Sequence, residues 1–311
     1  MRHDDILGLI GDTPLVGIHA LSPNPDVKIY AKLEGQNPGG SSKDRIAWSM
    51  VQLAERDGVL RPGDTIVEPS SGNTGIGLAL VARLRGYRLR VVMPENVSIE
   101  RRQLLAIFGA EVVLSPADEG SNGAIRLSEK LAAEDPSLVR LFQYGNPANP
   151  LAHYEGTGPE IWRDCPEVDV FVAGLGTSGT LMGVGRYLKE QNPRVRVVAV
   201  EPPAGELVQG LRSLDDGFVP PIFDPSVLDR KLIVRPRESI VWLRRLLDDC
   251  GVFAGVSSGA AVAGAVKAAE QMDAGTIVTL LPDGGWKYLS SGAWTDDLDE
   301  VVERATRINY W

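Results

Sequence analysis

The lysine within residues 37–45 is the first side chain that could carry out covalent chemistry. Lys43 follows two glycines and two serines, which are typical of a tight turn, and precedes a predicted helix over residues 45–57. The positive end of a helix dipole disfavours a cation, so a partly buried lysine there is expected to have a lowered pKa. Such a neutral amine is a nucleophile that forms Schiff bases. A surface lysine beside a capping Asp44 is the alternative.

Three loops rich in glycine, serine and threonine each precede a predicted helix. They cover residues 69–75, 174–180 and 253–259. A helix N-terminus offers unpaired backbone N–H groups and the positive end of its dipole, and the hydroxyls add further donors. The loops therefore predict binding of one or two ligands with several negative groups. Ordinary helix capping is the alternative for the first and third loops.

The middle loop also matches a dinucleotide-binding pattern. Residues 174–179 read Gly-Leu-Gly-Thr-Ser-Gly between a strand and a helix, and Glu201 follows Gly179 by 22 residues. An NAD-binding oxidoreductase is therefore one interpretation. Against it, the loop lies after a complete first α/β half of the chain. The hydroxyls of Thr177 and Ser178 also suit a terminal phosphate monoester better than a bridging pyrophosphate.

Arginines form two further features. Arg212 lies in the long segment 201–235, which is rich in proline, glycine and aspartate and is therefore expected to be functional or disordered. Its guanidinium can bind a phosphate through two parallel hydrogen bonds, and an ion pair with Asp215 or Asp216 is the alternative. A second, clustered group is interpreted as solvated helix ends, or as a docking face for an acidic protein: Arg83, Arg85, Arg88, Arg90, Arg101 and Arg102.

Short apolar segments alternate with amphipathic ones along the chain. The predicted strands cover residues 27–33, 65–68, 88–93, 111–114, 169–173, 194–200 and 276–281. The predicted helices cover residues 45–57, 75–85, 99–108, 123–133, 179–191, 240–250 and 260–271. This alternation predicts an α/β protein with mainly parallel sheets covered on both faces, in two halves that meet near residue 145.

Composition excludes several classes of protein. The 311 residues contain 32 Lys and Arg against 41 Asp and Glu, and the net charge of −9 argues against general nucleic-acid binding or attraction to anionic membranes. Two cysteines and three scattered histidines predict neither a disulfide framework nor a metal site. No apolar run approaches the length of a transmembrane helix, and the polar start is unlike a signal peptide. We therefore expect a cytoplasmic protein.

Several motifs together resemble the cysteine synthase family of pyridoxal 5'-phosphate (PLP) enzymes, the fold-type II group that includes cystathionine β-synthase and the tryptophan synthase β-subunit. The motifs are Gly11–Val16, Ser42–Arg45, Ser71–Gly75, Asn146–Asn149, Thr157–Glu160 and Tyr288–Ser290. The resemblance implies two three-layer α/β/α domains. Residues 38–145 would form a smaller, mobile domain with the substrate-carboxylate loop, and residues 1–37 plus 146–311 the larger PLP-binding domain.

The same resemblance implies a role for each matching residue. Lys43 would hold PLP as an internal aldimine and move the α-proton, Asn73 would bind the ring hydroxyl, and Ser257 would face the pyridine nitrogen. The cofactor phosphate would be bound by Gly176, Thr177, Ser178, Gly179 and Thr180, and the substrate carboxylate by Ser70, Ser71, Gly72, Thr74 and Gln143. Ser178 replaces a glycine that is common in the family, which should cost little unless that position needs a positive φ.

Residues 211–220 and 283–290 resemble an actinobacterial subgroup that uses O-phosphoserine, in which the arginine matching Arg212 contacts the substrate phosphate. The implied reaction converts O-phospho-L-serine and sulfide, or a thiocarboxylated small carrier protein, to cysteine and phosphate through an α-aminoacrylate, in a homodimeric enzyme. An O-acetylserine sulfhydrylase is the nearest alternative, and a cystathionine β-synthase is more remote. A C-terminal lid of Tyr310 and Trp311 is a further hypothesis.

Overall fold

A computed structural model describes residues 2–70, 72–95 and 97–307. The predicted roles of Ser71, Tyr310 and Trp311 therefore lie outside the described residues. The strands are β1 Leu15–Gly17, β2 Val27–Leu33, β3 Thr65–Pro69, β4 Arg88–Pro94, β5 Glu111–Ser115, β6 Leu138–Arg140, β7 Val170–Gly174, β8 Arg196–Glu201, β9 Arg230–Ile233 and β10 Gly275–Leu281. The α-helices are α1 Lys43–Arg56, α2 Asn73–Arg85, α3 Ile99–Ile107, α4 Gly120–Glu134, α5 Ala148–Ala152, α6 Gly158–Asp164, α7 Gly179–Gln191, α8 Pro236–Cys250, α9 Val256–Ala269 and α10 Leu298–Arg307.

The strands form two sheets, which confirms the predicted α/β class. The larger sheet has the order β1-β2-β10-β7-β8-β9, and only its edge strand β1 runs antiparallel to its neighbour. The smaller sheet, β5-β4-β3-β6, is entirely parallel. Strands such as β7 and β10 are buried along nearly their whole length because helices cover both faces. The smaller sheet falls within the predicted smaller domain, whose boundaries and mobility stay predictions.

Three strands and three helices were not predicted. Strands β1, β6 and β9 have only three or four residues, too few for a periodic pattern to stand out. Helices α5 and α6 contain prolines at Pro150 and Pro159, which in the sequence suggest a break. Both prolines lie in a first turn, where the missing N–H costs nothing, and a π-helical turn joins the two helices. Helix α10 is the third helix that the sequence patterns did not predict.

Parallel strands bring the chemistry-bearing loops to one place, because their carboxyl ends lie at the same edge of each sheet. The loop of residues 69–75 leaves β3, the loop of residues 174–180 leaves β7, and Pro282 and Asp283 follow β10. Each of the first two loops leads straight into a helix. In the part of the chain described above, none of the helices has the length and apolar character needed to cross a membrane.

Candidate active site

One cleft gathers nearly all of the sequence-predicted residues. It is lined by Lys43, Ser70, Gly72, Asn73, Thr74, Gln143, Gly176, Thr177, Ser178, Thr180, Arg212 and Ser257. Gly179 does not line the cleft itself but begins the helix that faces it. Both sheets contribute to the walls, since the lining residues come from loops after β3, β7 and β8 and from the starts of α1 and α9.

Lys43 is the first residue of α1, which begins two residues before the predicted start at residue 45. The preceding turn is fixed to the larger sheet, because the Ser42 N–H donates to the Pro282 carbonyl at 2.8 Å. Burial lowers the pKa of the Lys43 amine, and the carboxylates of Asp283 and Glu34 oppose that shift only in part. Burial of this amine on the cleft wall thus favours its uncharged form, which is the form that acts as a nucleophile.

The loop between β3 and α2 is held by its own hydroxyls. Ser70 Oγ accepts a hydrogen bond from the Gly75 N–H at 2.9 Å, and so caps the start of α2. Thr74 Oγ1 donates to Gln143 Oε1 at 2.6 Å, and Gln143 Nε2 donates to the Pro69 carbonyl at 3.2 Å. Thr74 and Gln143, far apart in the chain, are therefore neighbours on one wall of the cleft.

Glu68 holds Gln143 in that position. The carboxylate of Glu68 accepts the backbone N–H of Phe142 at 2.7 Å and that of Gln143 at 2.9 Å. Burial raises the pKa of Glu68 to about 7, and the two N–H donors offset this only in part. The end of β3 is thus connected directly to the segment that follows β6.

The loop before α7 has an unexpected backbone strain. Ser178 has a φ of 71°, in the left-handed region that favours glycine. The exception attached to the expected small cost of serine therefore applies, because the backbone at Ser178 does need a positive φ. The Ser178 hydroxyl is buried and, among the described residues, has no hydrogen-bond partner. A strained, unpaired donor at a helix N-terminus is typical of an anion site.

Neighbouring side chains fix the rest of this loop. Asn149 Nδ2 donates to Thr177 Oγ1 at 3.0 Å, and a side chain at Gly179 would overlap Asn149 Oδ1. His153 bonds to Thr180 Oγ1 through Nε2 at 3.1 Å and to Thr157 Oγ1 through Nδ1 at 2.9 Å. Burial, helped by the charge of Lys43, lowers the pKa of His153 to about 3. The imidazole is therefore neutral and serves as a hydrogen-bonding bridge.

Ser257 is the second residue of α9, a helix of small and apolar residues that is buried on almost every side. Its hydroxyl lies against Gly210, where an added Cβ would come within 3.3 Å of Ser257 Oγ. Gly210 also has a φ of 89°, so two reasons favour glycine there. The serine is 4% exposed and faces the cleft from the side of the larger sheet.

Arg212 is a buried cation, 7% exposed, on the cleft wall. The guanidinium carbon lies 5.5 Å from the ring centre of Tyr144 and 4.7 Å from that of Phe218. Its Nη2 also donates to Ser121 Oγ at 3.1 Å, at the start of α4. Aromatic rings and a hydroxyl therefore hold the guanidinium in place, which fits a fixed cation better than a mobile surface arginine.

Asn73 lies between groups of opposite charge. Its Nδ2 donates to Asp283 Oδ2 and its Oδ1 accepts from Lys287 Nζ, both at 2.7 Å. Burial lowers the pKa of Lys287 to about 8, against the opposing carboxylates of Asp283 and Asp44. Sequence reasoning noted residues 283–290 only as a motif and gave Lys287 no function.

Two side chains of the cleft wall, Arg101 and Tyr288, had no function assigned from the sequence. Arg101 was expected at a solvated helix end, but it is 3% exposed and lines the cleft. Its guanidinium carbon lies 5.0 Å from the ring centre of Tyr288, which also lines the cleft. Of the other arginines in that group, Arg83, Arg85 and Arg88 are exposed as predicted, whereas Arg90 and Arg102 are half-buried. Charge and spacing alone did not indicate which arginine of the group points inward.

Glu201 does not resemble a ribose-binding acid. Its side chain is fully buried, accepts the Leu214 N–H at 3.1 Å and forms an ion pair with Lys231 at 2.7 Å. Those contacts fasten the segment after β8 to the sheet. The acid that completed the dinucleotide-binding pattern is thus engaged in structural contacts.

Comparison with known proteins agrees with this geometry. Residues 6–283 match the family model described as pyridoxal-phosphate dependent enzyme. Cysteine synthase B of Pseudomonas aeruginosa is 42% identical over 295 residues, covering 94% of this chain and 98% of the relative. A cysteine synthase of Staphylococcus aureus is 43% identical over 304 residues, with the same shares covered.

Solved structures are similar over nearly the whole chain. The crystal structure of an O-ureido-L-serine synthase has a TM-score of 0.89 and 42% identity, and the match covers 94% of this chain and 96% of that one. The crystal structure of a cysteine synthase from Entamoeba histolytica also has a TM-score of 0.89, with 34% identity and coverage of 99% and 96%.

Proposed function

Because the chain belongs to the cysteine synthase family of pyridoxal-phosphate-dependent enzymes, fold type II, we propose that it makes cysteine from O-phospho-L-serine. The cofactor is PLP and the reaction class is PLP-dependent cysteine synthesis. The choice of O-phosphoserine, and the role of each residue below, are the proposal. Its main support is the buried, fixed guanidinium of Arg212 on the cleft wall.

The residues present in the cleft fit the cofactor. The phosphate of PLP needs several donors, and the N-terminus of α7 offers backbone N–H groups together with the unpaired hydroxyl of Ser178. The aldehyde needs an amine with a lowered pKa, and Lys43 has one. Ser257 and Asn73 line the same cleft and could meet the ring nitrogen and the ring oxygen. Each polar group of PLP therefore has a candidate partner.

When bound, PLP supplies an electron sink that stabilises negative charge at the Cα of an amino acid. The protein must then bind the substrate carboxylate, move the Cα proton and stabilise the leaving group. Lys43 Nζ is proposed to take the proton, since it is an amine on the cleft wall and the burial that lowers its pKa favours the uncharged form. Ser70, Gly72 and Thr74 lie at the N-terminus of α2, where free N–H groups and hydroxyls favour a carboxylate.

Ser257 is expected to influence which reaction the bound substrate undergoes after the Cα proton is removed. A serine hydroxyl does not force a pyridine nitrogen to stay protonated, as an aspartate would, so the ring is a weaker electron sink. We expect this to favour departure of the group on Cβ over transamination. The Cβ–O bond would then break with its electron pair leaving on phosphate, while the pair of the former Cα–H bond forms a Cα=Cβ bond. A sulfur nucleophile would form the new Cβ–S bond, and Lys43 Nζ would return the proton to Cα.

Arg212 is proposed to bind the phosphate of the substrate. A phosphate dianion entering a low-dielectric cleft needs a fixed positive partner, whereas an acetyl ester does not. Tyr144 and Phe218 limit the positions open to the guanidinium before the substrate arrives, so little side-chain entropy is lost on binding.

The test compares Arg212→Ala with wild type on two substrates, O-phospho-L-serine and O-acetyl-L-serine, with sulfide in both cases. Loss of a charged, two-bond contact of about 3 kcal/mol lowers kcat/KM for O-phosphoserine by about 100-fold. The value for O-acetylserine should change less than about 3-fold, because that ester carries no phosphate to pair with a cation. Arg126→Ala, which removes an exposed arginine of the nearby α4, is the control.

Equal losses on both substrates would contradict the proposal and give Arg212 a structural role only. A wild-type enzyme that turns over O-acetylserine but not O-phosphoserine would favour the alternative sulfhydrylase. The visible absorbance of bound PLP, recorded for each variant, keeps a loss of cofactor separate from a loss of substrate binding.

Three further expectations complete the proposal. Sulfide or a thiocarboxylated small carrier protein would supply the sulfur, and the exposed Arg83, Arg85 and Arg88 would suit an acidic carrier.

The chain would form a homodimer, which light scattering of the purified protein tests. Residues 38–145 would move as a smaller domain on substrate binding, which small-angle scattering with and without O-phosphoserine tests.

A further inference from the structure

We propose that Lys287 and Asp283 are positioning residues that fix the amide of Asn73, so that one hydrogen of Nδ2 stays directed at the cofactor. The inference rests on the proposed contact between Asn73 and PLP, and it assigns a function to the buried lysine that the reaction above does not use. The two residues follow β10, more than 200 positions from Asn73 in the chain.

Lys287 and Asp283 together form a clamp, which allows only one of the two possible orientations of the Asn73 amide. An ammonium group can only donate, and an ionised carboxylate can only accept. Lys287 Nζ meets Asn73 Oδ1 and Asp283 Oδ2 meets Asn73 Nδ2, so both contacts are favourable. Rotating the amide by half a turn would place donor against donor and acceptor against acceptor. Asp283 takes one hydrogen of Nδ2, which leaves the second for the cleft that Asn73 lines.

Both members of the clamp are themselves held. Lys287 is fully buried, donates to the Gly40 carbonyl at 3.1 Å, and lies 5.0 Å from the ring centre of Trp286. Asp283 Oδ2 accepts the Tyr288 hydroxyl at 2.5 Å. Neither side chain can turn away without leaving buried polar groups unpaired, which makes the amide orientation a consequence of the fold.

Charge adds to the effect of orientation. The amide lies between a cation on its oxygen side and a carboxylate on its nitrogen side, an arrangement that polarises it within a buried environment. The other charged groups that act on Lys287 are Asp44, Arg101 and Lys43. Removing Lys287 would therefore leave the Asn73 amide held by Asp283 alone and less polarised, and weaken its bond to the cofactor.

The test uses the holoenzyme and measures the rate at which PLP is released on dilution, from the decay of its visible absorbance. We expect Lys287→Met to speed release about 10-fold, in line with a lost charge-assisted hydrogen bond. In an Asn73→Ala background the same change should have less than about a 2-fold effect, because the amide is already gone. Lys32→Met is the matched control, since Lys32 is also fully buried but bonds to the Thr13 carbonyl and to Glu160 rather than to Asn73.

Independent, multiplying effects of Lys287→Met and Asn73→Ala would overturn the inference, as would equal release rates for Lys287→Met and Lys32→Met. If Asn73→Ala alone leaves release unchanged, the proposed contact of Asn73 with PLP fails, and the clamp has no function to serve. If Lys287→Met does not fold, Asp283→Asn tests the other half of the clamp. It should likewise speed release only when Asn73 is present.

Discussion

His153 gives a pH-dependent stability that can be calculated from its surroundings. Its imidazole is buried between Thr157 and Thr180, and its pKa is lowered to about 3 from an ordinary value of 6.5. As the pH falls through about 6.5, the unfolded chain takes up a proton at this histidine while the folded chain does not. Stability is therefore lost on acidification, and the loss stops only near the folded pKa.

The size of the loss follows from the two pKa values. Between about pH 8 and pH 5 the linkage relation gives a loss of about 2 kcal/mol from this one group. His153→Gln removes the titrating ring, so the variant should lose less stability over that range, whatever the substitution itself costs at high pH. The quantity to compare is therefore the change in stability with pH, rather than stability at one pH.

Urea denaturation of both proteins near pH 8 and near pH 5, at a fixed PLP concentration, measures this change. The difference in unfolding free energy between wild type and His153→Gln should shift by about 2 kcal/mol in favour of the variant at low pH. Parallel pH dependences would refute the reasoning, because they would mean that the buried ring accepts a proton as readily as it does in the unfolded chain.

Three other substitutions test the packing around the site. Gly179→Ala should lower stability by about 1–3 kcal/mol and reduce PLP content, because its Cβ overlaps Asn149; thermal denaturation and visible absorbance measure both. Ser178→Gly should raise the unfolding free energy by about 1 kcal/mol by relieving a left-handed backbone, which thermal denaturation checks. Arg45→Met should cost about 3–5 kcal/mol in urea, because it breaks two buried ion pairs, whereas the same change at the exposed Arg245 should cost under about 1 kcal/mol.

The predictable part of the fold is the part with strong local patterns. Strand β10 and helix α7 were predicted to within a residue, since a continuous apolar run and a long amphipathic pattern have few alternative readings. Strand β9 was missed because it is short, begins with Arg230 and Lys231, and lies at a sheet edge where polar residues are tolerated. The position of β9 in the sheet is determined by its pairing with β8, and no local sequence pattern indicates that pairing.

The same distinction between local patterns and long-range contacts applies to the candidate active site. Loops at helix N-termini were predictable because glycine and hydroxyl residues mark them locally. Contacts across the chain were not: nothing near Asn73 in the sequence indicates Lys287, and nothing near Arg101 indicates that it packs on Tyr288. The positive φ of Ser178 is set by the path of the whole loop, and a serine in the sequence argues against it.

Strand β10 has a consequence for how the chain is made. It is the last of the strands in the described residues, yet it lies in the interior of the larger sheet, between β2 and β7. The smaller sheet uses only residues 65–140 and can form while the chain is still emerging from the ribosome. The larger sheet cannot be completed until residue 281 has been synthesised. Until then, β2 and β7 each have one edge without its pairing strand. Aggregation during synthesis is thus a hazard of those two strands, and the cleft that would hold PLP can be assembled only after residue 281 has been made.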